Sequence, residues 1–254
     1  MQLVVHRGTN VNCPENSICG IKEIRKVTED AIIEIDIVPT KDNKLVLFHD
    51  LSLMRLCGID KLVFEFTFDE LNTIQKRYEF IELEDILKLF PTQKFLLDIR
   101  CNYHIDFFLE SKIDLISIKE DLFAKYKNRL LNINTNNMII ICSDLEMAKR
   151  FINELDINVD LSENFMREYL KYIEETSALP NLDFKFKRVS IQNKFLTHKI
   201  VNIFHQNNIE VFSTPSMFRS IENSKTMLQT AKKYNCDGIW LSPINKEIIE
   251  ELKE

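Results

Sequence analysis

Ile32-Ile33-Glu34-Ile35-Asp36-Ile37 is a run of β-branched residues broken only by two carboxylates. It reads as a strand that is apolar on both faces, covered by helices on one side and facing a filled interior on the other. Short apolar runs of the same kind at 3–5, 95–99, 138–142, 157–161, 188–191, 209–212 and 238–241 bring the number of such strands to eight. Between them, apolar residues recur at three- and four-residue spacing over 21–27, 83–90, 105–126, 145–155, 165–173, 195–205, 221–234 and 246–252. Alternation of strand and helix predicts a parallel sheet, and eight units predict that it closes. The expected fold is α/β, a single (β/α)8 TIM barrel over residues 1–254. An open, doubly wound sheet would normally carry a Gly-rich phosphate turn after its first strand, and no G-x-G-x-x-G occurs. A further strand-like run at 44–48 follows the second barrel strand and leads into a loop-rich stretch to about residue 77.

A chain of 254 residues suits one such barrel, and 4 Gly and 6 Pro leave little material for flexible linkers. The net charge of −6 speaks against a nucleic-acid partner, because binding a phosphate backbone usually takes a basic face. A small anionic substrate is compatible with it, since local cations override the global sign. The cysteines at 13, 19, 57, 101, 142 and 236 form no C-x-x-C pair, and their scatter reads as free, mostly buried thiols in a reducing compartment. No signal peptide is recognisable, and no apolar run is long enough to span a bilayer. The expectation is a cytoplasmic protein without stable membrane insertion; nothing in the sequence sets an oligomeric state.

Glu34 and Asp36 sit two apart on one strand, so they share a face, about 6–7 Å apart along it. Two carboxylates in an apolar strand repel each other and are costly to bury without a counter-charge. A divalent cation meets that need, and oxygen ligands suit Mg²⁺ or Ca²⁺. Lys or Arg side chains facing the same strand would also meet it. Asp98 lies near the end of the third predicted barrel strand, with Arg100 two residues on, and strand C-terminal ends are where such barrels place catalytic groups. A local ion pair is the blander account of those two. His6 and Arg7 end the first strand, and His49 and Asp50 end the extra run. Phosphodiester cleavage needs one group to take a proton from a nucleophile and one to give a proton to the leaving alkoxide, and imidazole can do either near neutral pH. His104, His198 and His205 fall in or beside predicted helices and read as surface or packing residues.

In order along the chain stand His6-Arg7-Gly8, Pro14-Glu15-Asn16-Ser17, Glu34-Ile35-Asp36-Ile37, Thr40-Lys41-Asp42, His49-Asp50 with Leu53 and Arg55, Thr67-Phe68-Asp69-Glu70-Leu71, and Leu97-Asp98-Ile99-Arg100. Together these motifs resemble the glycerophosphodiester phosphodiesterase family, specifically over residues 1–100. The resemblance implies one divalent cation, Mg²⁺ or Ca²⁺, held by Glu34, Asp36 and Asp98. It implies His6 and His49 as the acid–base pair and Arg7 and Arg100 as the phosphate-binding cations, with Glu15, Asn16 and Asp50 in support. It implies a small glycerophosphodiester substrate, cleaved through a cyclic phosphate made by the substrate's own glycerol hydroxyl.

This chain departs from the family pattern at several positions. The third ligand is usually Glu and the cation after it usually Lys, where Asp98 and Arg100 stand here. Asp at that ligand is also similar to a related phospholipase D branch that cyclises its substrate. The last strand, through Trp240 and Leu241, resembles the family's closing strand, but Ser242 takes the place of its usual Asp. Ser213-Thr214-Pro215-Ser216 replaces the family's Trp-Thr-Val-Asn. Two rival readings follow: an enzyme that hydrolyses or cyclises another glycan- or lipid-linked phosphodiester, and a non-catalytic barrel that serves as a binding module.

Overall fold

A computed structural model describes residues 1–9, 12–74, 78–100, 115–133, 138–142, 144–215, 221–242 and 244–253. Its strands are β1 (Gln2–Val5), β2 (Ile32–Pro39), β3 (Leu45–Leu47), β4 (Phe95–Ile99), β5 (Met138–Cys142), β6 (Val159–Ser162), β7 (Arg188–Gln192), β8 (Glu210–Thr214) and β9 (Gly238–Leu241). They lie in the order β1-β9-β8-β7-β6-β5-β4-β2-β3, and β1 also pairs with β2. That last pairing closes an eight-stranded parallel barrel, with Val4 opposite both Ile32 and Trp240. β3 is the extra strand expected from the sequence. It runs antiparallel to the C-terminal half of β2, with Ile37 opposite Leu47 and Pro39 opposite Leu45.

The helices are α1 (Ile18–Val27), α2 (Met54–Cys57), α3 (Phe68–Thr73), α4 (Leu83–Leu89), α5 (Leu115–Leu130), α6 (Leu145–Leu155), α7 (Glu163–Thr176), α8 (His198–Gln206), α9 (Ile221–Tyr234) and α10 (Lys246–Lys253). Side-chain caps set the start of several of them. Ser17 accepts from the Gly20 amide and starts α1 three residues earlier than periodicity alone predicts. Thr197 accepts from the Ile200 amide and starts α8 at His198, three residues later than expected, and a short 3-10 turn occupies 193–195. α5 runs later than the 105–126 pattern predicts; the expected first part, to residue 114, lies outside the described residues. α2 and α3 occupy the stretch read as loop, because four- and six-residue helices are too short to show a period.

Side-chain alternation divides the core into shells. Val4, Ile32, Leu96, Ile141, Phe212 and Trp240 pack together inside the barrel. Their strand neighbours Val5, Ile33 and Leu97 join the larger apolar layer between barrel and helices. Val38, Val46, Phe48, Val63 and Leu71 form a third cluster, which seats β3 and the segment after it against β2. Glu34 and Asp36 follow Ile32 on the inward face at every second residue, so both point into the barrel at its C-terminal end.

The cysteine expectation is corrected in part. Cys13 and Cys19 form a disulfide, with Cα atoms 5.6 Å apart. The chain turns back at Asn16, whose φ is +54°, and this brings two thiols six residues apart into register. A search for C-x-x-C spacing misses such a pair. Cys57, Cys142 and Cys236 are reduced thiols, the latter two buried, and Cys101 lies outside the described residues. Among the described residues, no helix is long and apolar enough to cross a membrane.

Candidate active site and metal centre

The site is assembled from the ends of three strands and two loops. β1 ends in a 3-10 turn over His6–Gly8, in which Arg7 and Gly8 both take left-handed backbone, with φ of +54° and +51°. The turn points the Arg7 amide into the barrel, where it donates to Glu34 Oε2 at 2.5 Å. Helix α1 packs directly on this turn: a Cβ on Gly20 would lie 1.9 Å from the Gly8 carbonyl oxygen. Only glycine at 20 permits that approach, so the helix fixes the height of His6 and Arg7.

Ligand oxygens of Glu34, Asp36 and Asp98 come within 4.8 Å of one another and can hold a metal ion. Glu34 Oε1 and Asp36 Oδ1 are buried and accept no hydrogen bond. Burial pushes the Glu34 carboxyl well up, and the charges of Asp36 and Asp98 add to it. Burial also raises Asp98, with Arg100 opposing. For Asp36, burial is outweighed by His49, Arg100, Arg7 and the Asn16 amide, which hold it below the usual carboxylate range. Buried, mutually repelling oxygens with open lone pairs are the donor set a hard divalent cation takes.

Cations and imidazoles surround the acids. Arg7 Nε lies 3.7 Å from Asp36 Oδ2, and Arg100 Nη1 lies 3.7 Å from Asp36 Oδ1 and 2.8 Å from Asp98 Oδ2. His49 Nε2 is 4.0 Å from Asp36 Oδ1, while its Nδ1 pairs with Asp50 Oδ1 at 2.5 Å. His6 is half-buried, its ring centroid 6.3 Å from that of Trp240. Burial beside Arg7 drives the His6 imidazole down to about 3, against the pull of Asp36. Asn16, fully buried, holds Asp36 through its side-chain amide, and Glu15 accepts from Arg7 Nη1 at 3.0 Å.

The profile of the glycerophosphoryl diester phosphodiesterase family matches residues 6–239. The chain belongs to that family, whose members are phosphoric diester hydrolases. A glycerophosphodiester phosphodiesterase of Bacillus altitudinis is 24% identical over 271 aligned positions, spanning 99% of both chains. One of Caldanaerobacter subterraneus subsp. tengcongensis is 30% identical over 134 residues, which is 48% of this chain and 54% of that relative. Among solved structures, a phosphodiesterase of Oleispira antarctica, in complex with the product sn-glycerol-3-phosphate, superposes with a TM-score of 0.69 at 14% identity. It covers 100% of this chain and 97% of that one.

Within this phosphodiesterase fold, His6, Arg7, Glu15, Asn16, Glu34, Asp36, His49, Asp50, Asp98 and Arg100 come together at one mouth of the barrel. Other residues there drew no role from the sequence. Arg55 donates to both Asp50 and Glu15. Tyr78 donates to the Leu47 carbonyl at 3.0 Å and holds β3 in place. Tyr126, on α5, donates to the Ile37 carbonyl at 2.6 Å and supports the end of β2. Arg55 was visible as part of the His49-Asp50 motif, but the tyrosines carried no signal beyond their apolar neighbours. Ser242, in place of the family's usual Asp, shares a hydrogen bond with Thr9 at 2.8 Å across the β1–β9 seam. Thr214 ends β8 and Pro215 follows it, both half-buried, and Ser216 lies outside the described residues, as does His104.

Proposed function

We propose that this chain, as one catalytic barrel domain over 1–254, hydrolyses glycerophosphodiesters to glycerol phosphate and an alcohol. The observation that carries the reading is the convergence of Glu34, Asp36 and Asp98, two of them with unsatisfied buried oxygens, between two arginines and two histidines. Glu34, Asp36 and Asp98 would hold one divalent cation, Mg²⁺ or Ca²⁺. When bound, it would polarise the phosphoryl oxygens and neutralise part of the diester's charge.

The remaining chemistry belongs to the chain. Arg7 and Arg100 are placed to grip the non-bridging oxygens of the diester, and a guanidinium can do so with two hydrogen bonds. His6, uncharged and so able to accept, though made less basic by the same burial, would take the proton of the substrate's glycerol hydroxyl. That oxygen forms a bond to phosphorus as the bond to the alcohol breaks. His49, oriented by Asp50 with Nε2 toward the mouth, is suited to give its proton to the departing alkoxide. Water then opens the cyclic phosphate by the reverse proton transfers, leaving glycerol phosphate.

Asp98 and the Thr9–Ser242 contact favour a second reading, in which another glycan- or lipid-linked diester is the substrate and the cyclic phosphate the end product. The net charge of −6 supports a small diester over nucleic acid as the partner. The reduced thiols at 57, 142 and 236 suit the cytoplasm, and the Cys13–Cys19 bond suits an oxidising compartment; alkylation of the native protein in cell extract tests the assignment. Phosphorus NMR of a panel of glycerophosphodiesters and of glycan- and lipid-linked phosphodiesters with Mg²⁺ or Ca²⁺ tests the activity. A monoester product that EDTA abolishes is expected. A persistent cyclic signal selects the second reading, and no turnover of any diester rejects both.

A further inference from the structure

Arg55 lies on the four-residue helix α2, outside the barrel strands, and its side chain is 41% exposed. Its guanidinium is nevertheless committed at two edges. Nε donates to Asp50 Oδ2, and Nη2 donates to Glu15 Oε1 at 2.5 Å. Each of those carboxylates uses its other oxygen on a residue at the mouth. Asp50 Oδ1 meets His49 Nδ1 at 2.5 Å, and Glu15 Oε2 accepts from Arg7 Nη1 at 3.0 Å. The result is one continuous chain of groups, Arg7–Glu15–Arg55–Asp50–His49, in which charge alternates and both ends face Asp36.

We propose that Arg55 is a positioning residue for diester cleavage, which sets His49 through Asp50 and Arg7 through Glu15. The proposal rests on the phosphodiesterase reading above and deepens it. Asp50 is 1% exposed, and a buried carboxylate with a single partner is strongly destabilised. With Arg55 on its second oxygen, Asp50 is fixed in the plane that receives His49 Nδ1–H, which leaves Nε2 facing the mouth. Arg55 also keeps Glu15 extended toward Arg7. A planar fork can serve two carboxylates in different directions at once, and a lysine ammonium on the same backbone is a point charge that serves one.

The test compares wild type with Arg55→Met, Arg55→Lys, Glu15→Gln, His49→Ala and the double variant His49→Ala/Arg55→Met. Steady-state kinetics use a glycerophosphodiester with an alkyl leaving group. Arg55→Met should lower kcat by about 10–100-fold, the range seen when a residue that orients an active group is lost. It should raise KM by the same factor as Glu15→Gln. In the His49→Ala background the kcat loss from Arg55→Met should vanish, because no imidazole is left to orient, while the KM effect should persist. Arg55→Lys keeps the charge and should show the same kcat loss, so it serves if the methionine variant folds poorly. Nitrogen-15 NMR of the His49 ring should show Nδ1 protonated throughout in wild type, with Nε2 as the nitrogen that gains and gives the acidic proton, and a mixture of neutral tautomers in Arg55→Met. A kcat loss that multiplies undiminished on top of His49→Ala, or Arg55 variants with wild-type kinetics and an unchanged tautomer, would overturn the proposal. Absence of turnover in wild type removes the phosphodiesterase reading instead, and the NMR still decides whether Arg55 orients His49.

Discussion

Asn16 holds Asp36 from two directions: its Nδ2 donates to Asp36 Oδ2 at 2.8 Å, and its Oδ1 accepts from the Asp36 amide at 2.9 Å. The carboxylate is therefore fixed relative to its own backbone, with Oδ1 left toward His49 and Arg100. Asn16 adopts left-handed backbone, so Asn16→Gly removes the amide while easing the local conformation. We predict that this variant folds with near-native thermal stability and binds Mg²⁺ or Ca²⁺ about 10–100-fold more weakly, the usual cost of losing a group that orients a ligand. Isothermal titration checks it; unchanged affinity would show that Asp36 needs no such support.

The three clustered acids make a second prediction about stability. Without a cation, Glu34 is held against Asp36 and Asp98 with a buried oxygen unsatisfied. Glu34→Gln removes one repelling charge at nearly constant volume, so the metal-free variant should be more stable than metal-free wild type. Saturating metal should raise the wild-type unfolding free energy by about 2.7 kcal/mol at a hundredfold excess over Kd, and the variant's by much less. Thermal melts with and without EDTA read both effects. A variant that gains as much from metal as wild type would remove Glu34 from the ligand set.

The two histidines differ in surroundings, and that difference predicts different defects. His6 is held neutral, with its imidazole at about 3, whereas His49 is flanked by Asp50 and Asp36. His6→Ala and His49→Ala should each lower the rate on an alkyl diester by about 10²–10⁴. On a nitrophenyl diester, whose leaving group departs without a proton, His49→Ala should recover most of the rate and His6→Ala should not. Equal recovery by both would reverse or dissolve the acid and base assignment.

The barrel was legible because its signal is periodic. Strands 95–99, 138–142 and 238–241 match the structure at both ends, since short runs of Ile and Leu with Phe, Met or Trp suit strands covered on both faces. The acids were legible because two charges in such a run contradict its apolar environment. The supporting layer was not. Tyr126 reaches the Ile37 carbonyl across 89 residues of sequence, and Arg55 reaches Glu15 across 40, and no local pattern encodes such distances. The Cys13–Cys19 bond was misread because it depends on one left-handed residue, Asn16, which sequence spacing does not reveal.

That disulfide closes a small loop around Glu15 and Asn16, which predicts a modest stability effect and a larger effect on the site. Cross-linking a loop of this length stabilises by roughly 2 kcal/mol in the chain-entropy account. Cys13→Ser/Cys19→Ser should therefore stay folded while Glu15 and Asn16 become freer to leave Arg7 and Asp36. The expected outcome is a small fall in melting temperature with a clear fall in metal affinity and kcat. Full activity of the doubly substituted enzyme would mean that the α1 cap at Ser17 and the buried Asn16 hold the loop unaided.

Asp160, a buried acid on β6, adds a pH dependence of its own to stability. Its Oδ2 accepts from Ser190 Oγ at 2.8 Å, and Ser190 Oγ in turn accepts from Trp240 Nε1 at 3.1 Å. Oδ1 has no hydrogen-bond partner. Burial pushes this carboxyl up to about 7, against Arg188 and the Ser190 hydroxyl. Its value in the unfolded chain is about 3.9. A carboxyl raised on folding binds its proton more tightly in the native state, so its contribution is complete below the unfolded value and is lost as pH climbs through the folded one. Each unit of that interval is worth about 1.4 kcal/mol. Wild type should therefore lose stability between pH 5 and pH 8 relative to Asp160→Asn, whose amide is neutral throughout and can still accept from Ser190. Urea unfolding of both proteins at the two pH values measures the difference. Parallel pH profiles for the two would show that Asp160 is ionised in the folded barrel and that Arg188 neutralises it.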